Sequence, residues 1–253
     1  MKRQEPAAVS SILLETGTLL MSSGANTNRV RITMKRIAES YGYQADFLIT
    51  HRAIMLTLKQ DENQFYNEIK QAAHFAPNFR IVSGLSRLSW QIKEEQLSTN
   101  AVINEISRLK SLQHFPRWQV LCMVALACSS FCRLAGGNFL EMMIVFMASF
   151  TGLFVKQELG KRKVNVYMGV FLASFITTMI SGGVELLHPY EHDNMAFITS
   201  ILYLIPGIPL INSMMDILDG YSLNGIVRAV TGFAISFAIA AGLLIALLIY
   251  HVV

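Results

Sequence analysis

Charge is scarce in this chain: 15% of its 253 residues are Asp, Glu, Lys or Arg, against 53% hydrophobic. With a positive mean hydropathy, so thin a supply of charge excludes an ordinary soluble protein over the whole length. The basic residues scatter without aromatic interleaving and the formal net charge is only +4, so a nucleic-acid partner has no footprint here. Cysteine is rarer still, and Cys122, Cys128 and Cys132 fall within one apolar stretch. Cys128 and Cys132 share a helix face, yet no His or carboxylate joins them at ligand spacing. Close packing of helices explains them better than a metal. A Gly-rich loop followed by Lys-Ser or Lys-Thr is missing, which removes any visible ATP-driven mechanism. No nucleophile–base or metal pattern supports an enzyme, and no cofactor is implied. Met1–Val9 lacks the apolar core of a secretory signal.

What charge there is lies unevenly. Residues 1–115 carry regular charges and read as a globular α+β domain, whereas 116–253 reads as a membrane domain. Apolar spacing predicts one long helix, or two joined at Gly24, over residues 8–41, with Gly42 as a C-terminal cap. Ala45–Thr50 and Ala53–Leu58 read as adjacent strands, with Thr50-His51-Arg52 at the bend. A turn is expected at Asp61–Asn63. Phe65–Phe75 is ambiguous between strand and helix, and Asn78–Ser83 is expected to add a further strand. Helices follow at Leu85–Leu97 and Ala101–Leu112, with Ser98 or Thr99 as the cap between them. His51, His74 and His114 are isolated and read as structural.

Pro116-Arg117-Trp118 marks a water–lipid border, the arginine for headgroups and the tryptophan as anchor. Five spans are expected, near 117–135, 139–157, 164–187, 195–216 and 223–250, each close to the ~20 residues that cross a bilayer. Lys156, Lys161, Arg162 and Lys163 border one connection, while His188–Asn194 holds no Lys or Arg. The positive-inside rule then puts the N-terminal domain in the cytoplasm and the C-terminus outside. Glu141, Glu185 and Arg133 read as border residues near span ends.

The fourth span is broken. Pro206, Gly207 and Pro209 interrupt it, and Pro209 both lacks a donor and disfavours helix for Ile208. A helix ending near Ile205, a short link and a second helix from Pro209 are expected. Non-helical backbone at membrane depth persists where protein or a water-filled cavity satisfies it, so Asn212, Ser213, Asp216 and Asp219 after the break read as a polar site inside a bundle. A bare N-terminus at Pro209 favours an anion. Pro206, Gly207, Pro209, Asn212 and Ser213 are therefore the expected substrate-binding residues, and Asp216 is expected to couple a proton or cation. The alternative makes Asp216 a solvated residue at the inner helix end.

Ser23-Gly-Ala-Asn-Thr-Asn-Arg-Val30 with Arg36-Ile-Ala and Tyr41-Gly42, and Pro206-Gly-Ile-Pro-Leu-Ile-Asn212 with Asp216, resemble the threonine/serine exporter family. Pro116-Arg-Trp118, Phe131-Cys132 and Ser181-Gly182 agree with its short, five-span subfamily, in which two chains replace one longer chain. The resemblance implies export of small carboxylates, either a succinate-like dicarboxylate or threonine and serine, by a secondary transporter in the bacterial inner (plasma) membrane. It also implies a smaller, YjjB-type membrane subunit as partner. A membrane-anchored regulatory or sensory protein, whose soluble domain binds a ligand or partner, is the rival reading. A broken, polar-lined span argues against it, because an anchor has no need of one.

Overall fold

Proline sets the first boundary: Pro6 opens helix α1 (Pro6–Ser22) at a position whose N–H has no intrahelical acceptor. The computed structural model describes residues 5–61, 64–73, 77–112, 115–183 and 195–250. They form two compact units, one of Met1–His114 with Ile208–Ala229 and one of Phe115–Gly207 with Val230–Val253.

In the first unit most of α1 is buried, polar Ser10, Thr16 and Thr18 included, and Val9, Leu13, Leu14 and Leu20 are completely buried. It is the central helix of that unit, packed on α2 (Thr27–Ser40), α3 (Phe79–Glu95), α4 (Thr99–Lys110) and the sheet. Burying each such side chain contributes about 1.5–3 kcal/mol. The helical stretch expected over residues 8–41 is two helices. Gly24 takes φ 99° between them, a left-handed conformation that glycine adopts without a Cβ penalty. Asn26 then caps α2, its side chain accepting from Arg29 N at 2.9 Å. Gly42 follows the C-terminus of α2 with φ 76°, as its capping role requires.

Strands β1 (Gln44–Ile49), β2 (Ala53–Asp61) and β3 (Gln64–Gln71) form an antiparallel sheet in chain order. Ile54, Leu56 and Leu58 of β2 point into the core and are fully buried, while Leu48, Met55 and Ile69 form an exposed cross-strand row. The ambiguous stretch from Phe65 thus resolves as strand through Gln71. The strand expected at Asn78–Ser83 is instead the start of α3. Asn78 caps it by accepting from Arg80 N, and Ile81, Val82, Leu85, Leu88 and Ile92 are buried at helical spacing. Ser98 caps α4, accepting from Ala101 N at 3.4 Å. The turn expected at Asp61–Asn63 lies largely outside the described residues, as do His74, His114, Glu185 and the link 188–194.

The second unit contains α5 (Arg117–Leu134), α6 (Phe139–Lys161), α7 (Val166–Ser181), α8 (Met195–Ser200) and a 3-10 turn at Leu202–Leu204. Helix α9 (Gly207–Leu218) follows the break. The last helix, α10 (Ser222–Tyr250), begins in the first unit and continues into the second. By length and composition α6 and α10 can cross a membrane, and the bent pair Met195–Leu204 and Gly207–Leu218 makes a third if counted as one span. Among the described residues this supports two to three of the five expected spans. Helix α5 carries Arg117 and Arg133 at its ends, and α7 has only 16 described residues.

Hydroxyls join the helices of the second unit. Ser129 donates to Met142 O, Ser149 to Ser200 O, Ser174 to Ile239 O and Tyr250 to Met179 O, at 2.6–2.9 Å. Such bonds contribute about 0.6 kcal/mol each on average in a bilayer. Glu141, expected at a border with interface water, is buried. It completes a capping box with Asn138, accepting from Asn138 N at 2.7 Å while its own N–H is accepted by the asparagine side chain. Arg133 donates to Gly137 O rather than only reaching outward.

Candidate functional site

A helix N-terminus leaves backbone donors without intrahelical acceptors, and in α2 one of them is Thr27 N. Asp216 accepts it through Oδ1 at 2.8 Å, and accepts the Thr27 hydroxyl through Oδ2 at 2.9 Å. The carboxylate also lies at the positive end of the α2 dipole. Arg228 Nε stands 3.3 Å from Asp216 Oδ2, and a terminal nitrogen of the same guanidinium donates to Ala25 O at 3.2 Å. Asn224 bridges two further parts of the unit, donating to the Thr27 hydroxyl at 3.2 Å and to Ile49 O, the end of β1, at 2.9 Å. Asp216 is completely buried and the Arg228 side chain is 12% exposed. The reading of Asp216 as a solvated helix-end residue is therefore overturned: it is a buried carboxyl group that accepts twice from Thr27 and faces Arg228.

Two other expected site residues are also engaged. Asn212 donates to Gly24 O at 2.9 Å, and Ser213 to Gly225 O at 2.8 Å. Gly225 allows that contact, since a Cβ there would fall 2.9 Å from Ser213 O and 2.5 Å from Ile217 Cγ1. Helices α9 and α10 thus approach with almost no side chain between them at this point. Gly24, Ala25 and Thr27 of the first sequence motif meet Asn212 and Asp216 of the second, and Asn224 and Arg228 complete the cluster.

The break itself differs from expectation in one respect. Helix α9 begins at Gly207, not Pro209, so Pro209 occupies the first turn, where a missing N–H costs least. Gly207 N is accepted by Ile205 O at 2.8 Å. With prolines at 206 and 209, the donors that a helix start normally leaves over reduce to Ile208 N–H. An anion held by backbone alone thus has one donor there instead of several.

His51 at the β1–β2 bend is exposed, and its imidazole is held below the ordinary histidine value. Partial burial comes first, then the positive charges of Arg228 and Arg52, against a smaller opposing effect of Asp216. Elsewhere in this unit Glu15 of α1 pairs with Lys70 and Lys110. Burial raises that carboxyl, but the hydrogen bonds from Lys110 and Lys70 outweigh it and bring it below its usual value. No group of three or more His, Cys, Asp or Glu residues placed to hold a metal occurs among the described residues.

Sequence reasoning placed Asp216 and Asn212 in a polar site but missed Thr27, Asn224 and Arg228. The available signal was Arg228 itself, an arginine inside an otherwise apolar last segment, which calls for a partner. Thr27 and Asn224 gave no such signal, since both read as helix-start polar residues.

A family model described as "Putative threonine/serine exporter" matches residues 11–250. Over 252 residues the chain is 27% identical to "Probable succinate transporter subunit YjjP" of Escherichia coli (strain K12), covering 99% of this chain and 98% of that one. It is 26% identical to the protein of the same name in Klebsiella aerogenes, covering 97% and 95%. Identity to "Threonine/serine exporter" of Corynebacterium glutamicum is 21%, covering 93% of this chain but 50% of that longer one. No solved structure matches. Both stretches that carry the sequence resemblance lie inside the matched residues, and the chain belongs to the threonine/serine exporter family.

Proposed function

We propose that this chain is one subunit of a secondary transporter that exports small organic carboxylates, succinate-like acids ahead of threonine or serine, across the bacterial inner membrane. Its partner is a smaller membrane subunit of the YjjB type. The full-length match to relatives named as succinate transporter subunits supports a subunit role, as does the match to only half the length of the relative named "Threonine/serine exporter". Half of a repeat-built transporter leaves its pathway incomplete without the other half.

The observation that carries the mechanism is the buried Asp216–Arg228 pair, seated on Thr27 next to a broken segment. In this reading Asp216 is the coupling residue. A proton arriving on it cancels its attraction for Arg228, and the guanidinium becomes available to a carboxylate of the substrate. Pro206, Gly207 and Pro209 keep the segment broken. Asn212 and Ser213, whose polar atoms are now taken by Gly24 O and Gly225 O, contact substrate only when those bonds open. The transport cycle then alternates between this closed network and an open one.

The test is efflux of labelled succinate, threonine and serine from proteoliposomes made with this chain alone, the smaller subunit alone, and both. Carboxylate efflux driven by a proton gradient is expected only with both. Full transport by this chain alone refutes the subunit role, and no carboxylate transport under any combination refutes the exporter reading.

A further inference from the structure

Among the cations of the second unit one stands apart. Arg117 is tied to Gln157 at 2.6 Å and to Glu158 at 3.0 Å, and Lys161 and Arg162 reach the same Glu158. Arg133 donates to Gly137 O, and Lys163 is exposed. Lys156 is half-buried and has no ion pair or hydrogen bond among the described residues. It does not follow the outward face that carries Glu158. Glu141, Val145, Ser149 and Gly152 are the buried stripe of α6, and Lys156 continues it at the next helical step.

Val145 packs in an apolar cluster, but at Ser149 and Gly152 the stripe meets polar, uncharged groups. Ser149 donates to Ser200 O. At Gly152 a Cβ would meet Thr177 Oγ1 at 1.9 Å and Tyr203 Oη at 2.2 Å, two hydroxyls that are themselves 2.9 Å apart. On α7, Gly152 lies against Ala173 and Thr177 and Leu159 against Gly169. Lys156, between the two, is level with Gly169–Ala173, a stretch without an acidic residue. Withdrawing an ammonium even partly from water without a counter-charge is unfavourable, and no anion among the described residues pairs with Lys156.

We infer that Lys156 is the charged residue of an oxyanion site in the second unit, taking a carboxylate of the exported acid, with the Tyr203–Thr177 hydroxyl pair one helical turn away as additional donors. The site rests on the carboxylate-exporter reading and gives it a substrate contact separate from Arg228. A lysine serves here as a mobile point charge on a flexible stem, suited to an anion that must be released again.

The test uses this chain with its smaller subunit in vesicles of neutral lipid and, in parallel, of lipid containing phosphatidylglycerol. In Lys156→Gln the KM for the transported carboxylate is expected to rise about 10- to 100-fold, as loss of a charge-assisted contact implies. Lys156→Arg is expected to retain most of the affinity. An unchanged KM in Lys156→Gln, with wild-type carboxylate transport intact, overturns the site but not the exporter. A defect that appears only in phosphatidylglycerol vesicles assigns the lysine to lipid phosphate and overturns it too. Should Lys156→Gln fail to assemble, amine labelling of wild-type Lys156 decides: saturating succinate is expected to slow it and the uncharged 1,4-butanediol not to. Equal labelling in both overturns the inference.

Discussion

Removing one side of the Asp216–Arg228 pair should cost more from one end than from the other. In Asp216→Ala, Arg228 keeps only its bond to Ala25 O, and Thr27 loses acceptors for both its N–H and its hydroxyl. A buried charge left unpaired in this way costs about 3–5 kcal/mol. In Arg228→Ala, Asp216 still accepts twice from Thr27. Its contact with Arg228 was a single nitrogen at 3.3 Å, longer than an ideal charge-assisted bond. That loss should be about 1–3 kcal/mol. Because each single variant leaves a charge behind and the double variant leaves none, Asp216→Ala/Arg228→Ala should destabilise less than the sum by about 1–3 kcal/mol. Reversible unfolding in SDS-containing mixed micelles measures this. The chain has two tryptophans, so a Trp118→Phe background leaves Trp90 of α3, stacked on Arg36, as the fluorescent reporter of the first unit. Additivity within about 0.5 kcal/mol, or a larger loss from Arg228→Ala than from Asp216→Ala, would refute the buried-pair account.

His51 gives a pH dependence with a definite sign. Its folded value is depressed by burial and by Arg228 and Arg52, so the unfolded chain takes up the proton first, near its ordinary pKa of about 6.5. Stability is then unaffected above that pH and falls as pH drops below it, and His51→Gln should flatten this part of the profile; an identical slope in the variant contradicts it. A reporter fused after Val253 should face the exterior and one inserted at Arg162 the cytoplasm, since Lys161, Arg162 and Lys163 border one connection; a cytoplasmic C-terminal reporter means an even number of spans. Gly152→Ala should lower the SDS midpoint by the equivalent of about 1–3 kcal/mol, because its Cβ meets Thr177 Oγ1, Tyr203 Oη and Ala173 O. Wild-type stability would mean that α6 and α7 do not approach so closely.

The family was legible because its two motifs, Ser23–Val30 and Pro206–Asn212, are local and the match to residues 11–250 bears the resemblance out. Local chemistry likewise foretold the cap at Gly42 and the interrupted fourth segment, and it held the break at Gly24 and the cap at Ser98 each as one of two alternatives. Asn78–Ser83 was misread as strand because its apolar pair Ile81-Val82 satisfies both periods, and only the following Leu85, Leu88 and Ile92 select the helical one. Glu141 was misread because an acidic residue near a span end looks like a wet border, whereas Asn138 three positions earlier makes it half of a capping box.

Composition and spacing by themselves determined the membrane class, the polar residues after the proline break and the distribution of positive charge, since each depends on neighbours within a few positions along the chain. Tertiary structure alone decided what those residues touch. Thr27 and Asp216 are 189 positions apart and Ile49 and Asn224 are 175 apart, and no periodicity connects them. Lys156 and Glu158 are only two positions apart, and it is the packing of opposite faces of α6 that separates the lysine from the cations gathered on Glu158. Which charges are paired is settled by how helices pack, and a buried charge takes its meaning from its partner.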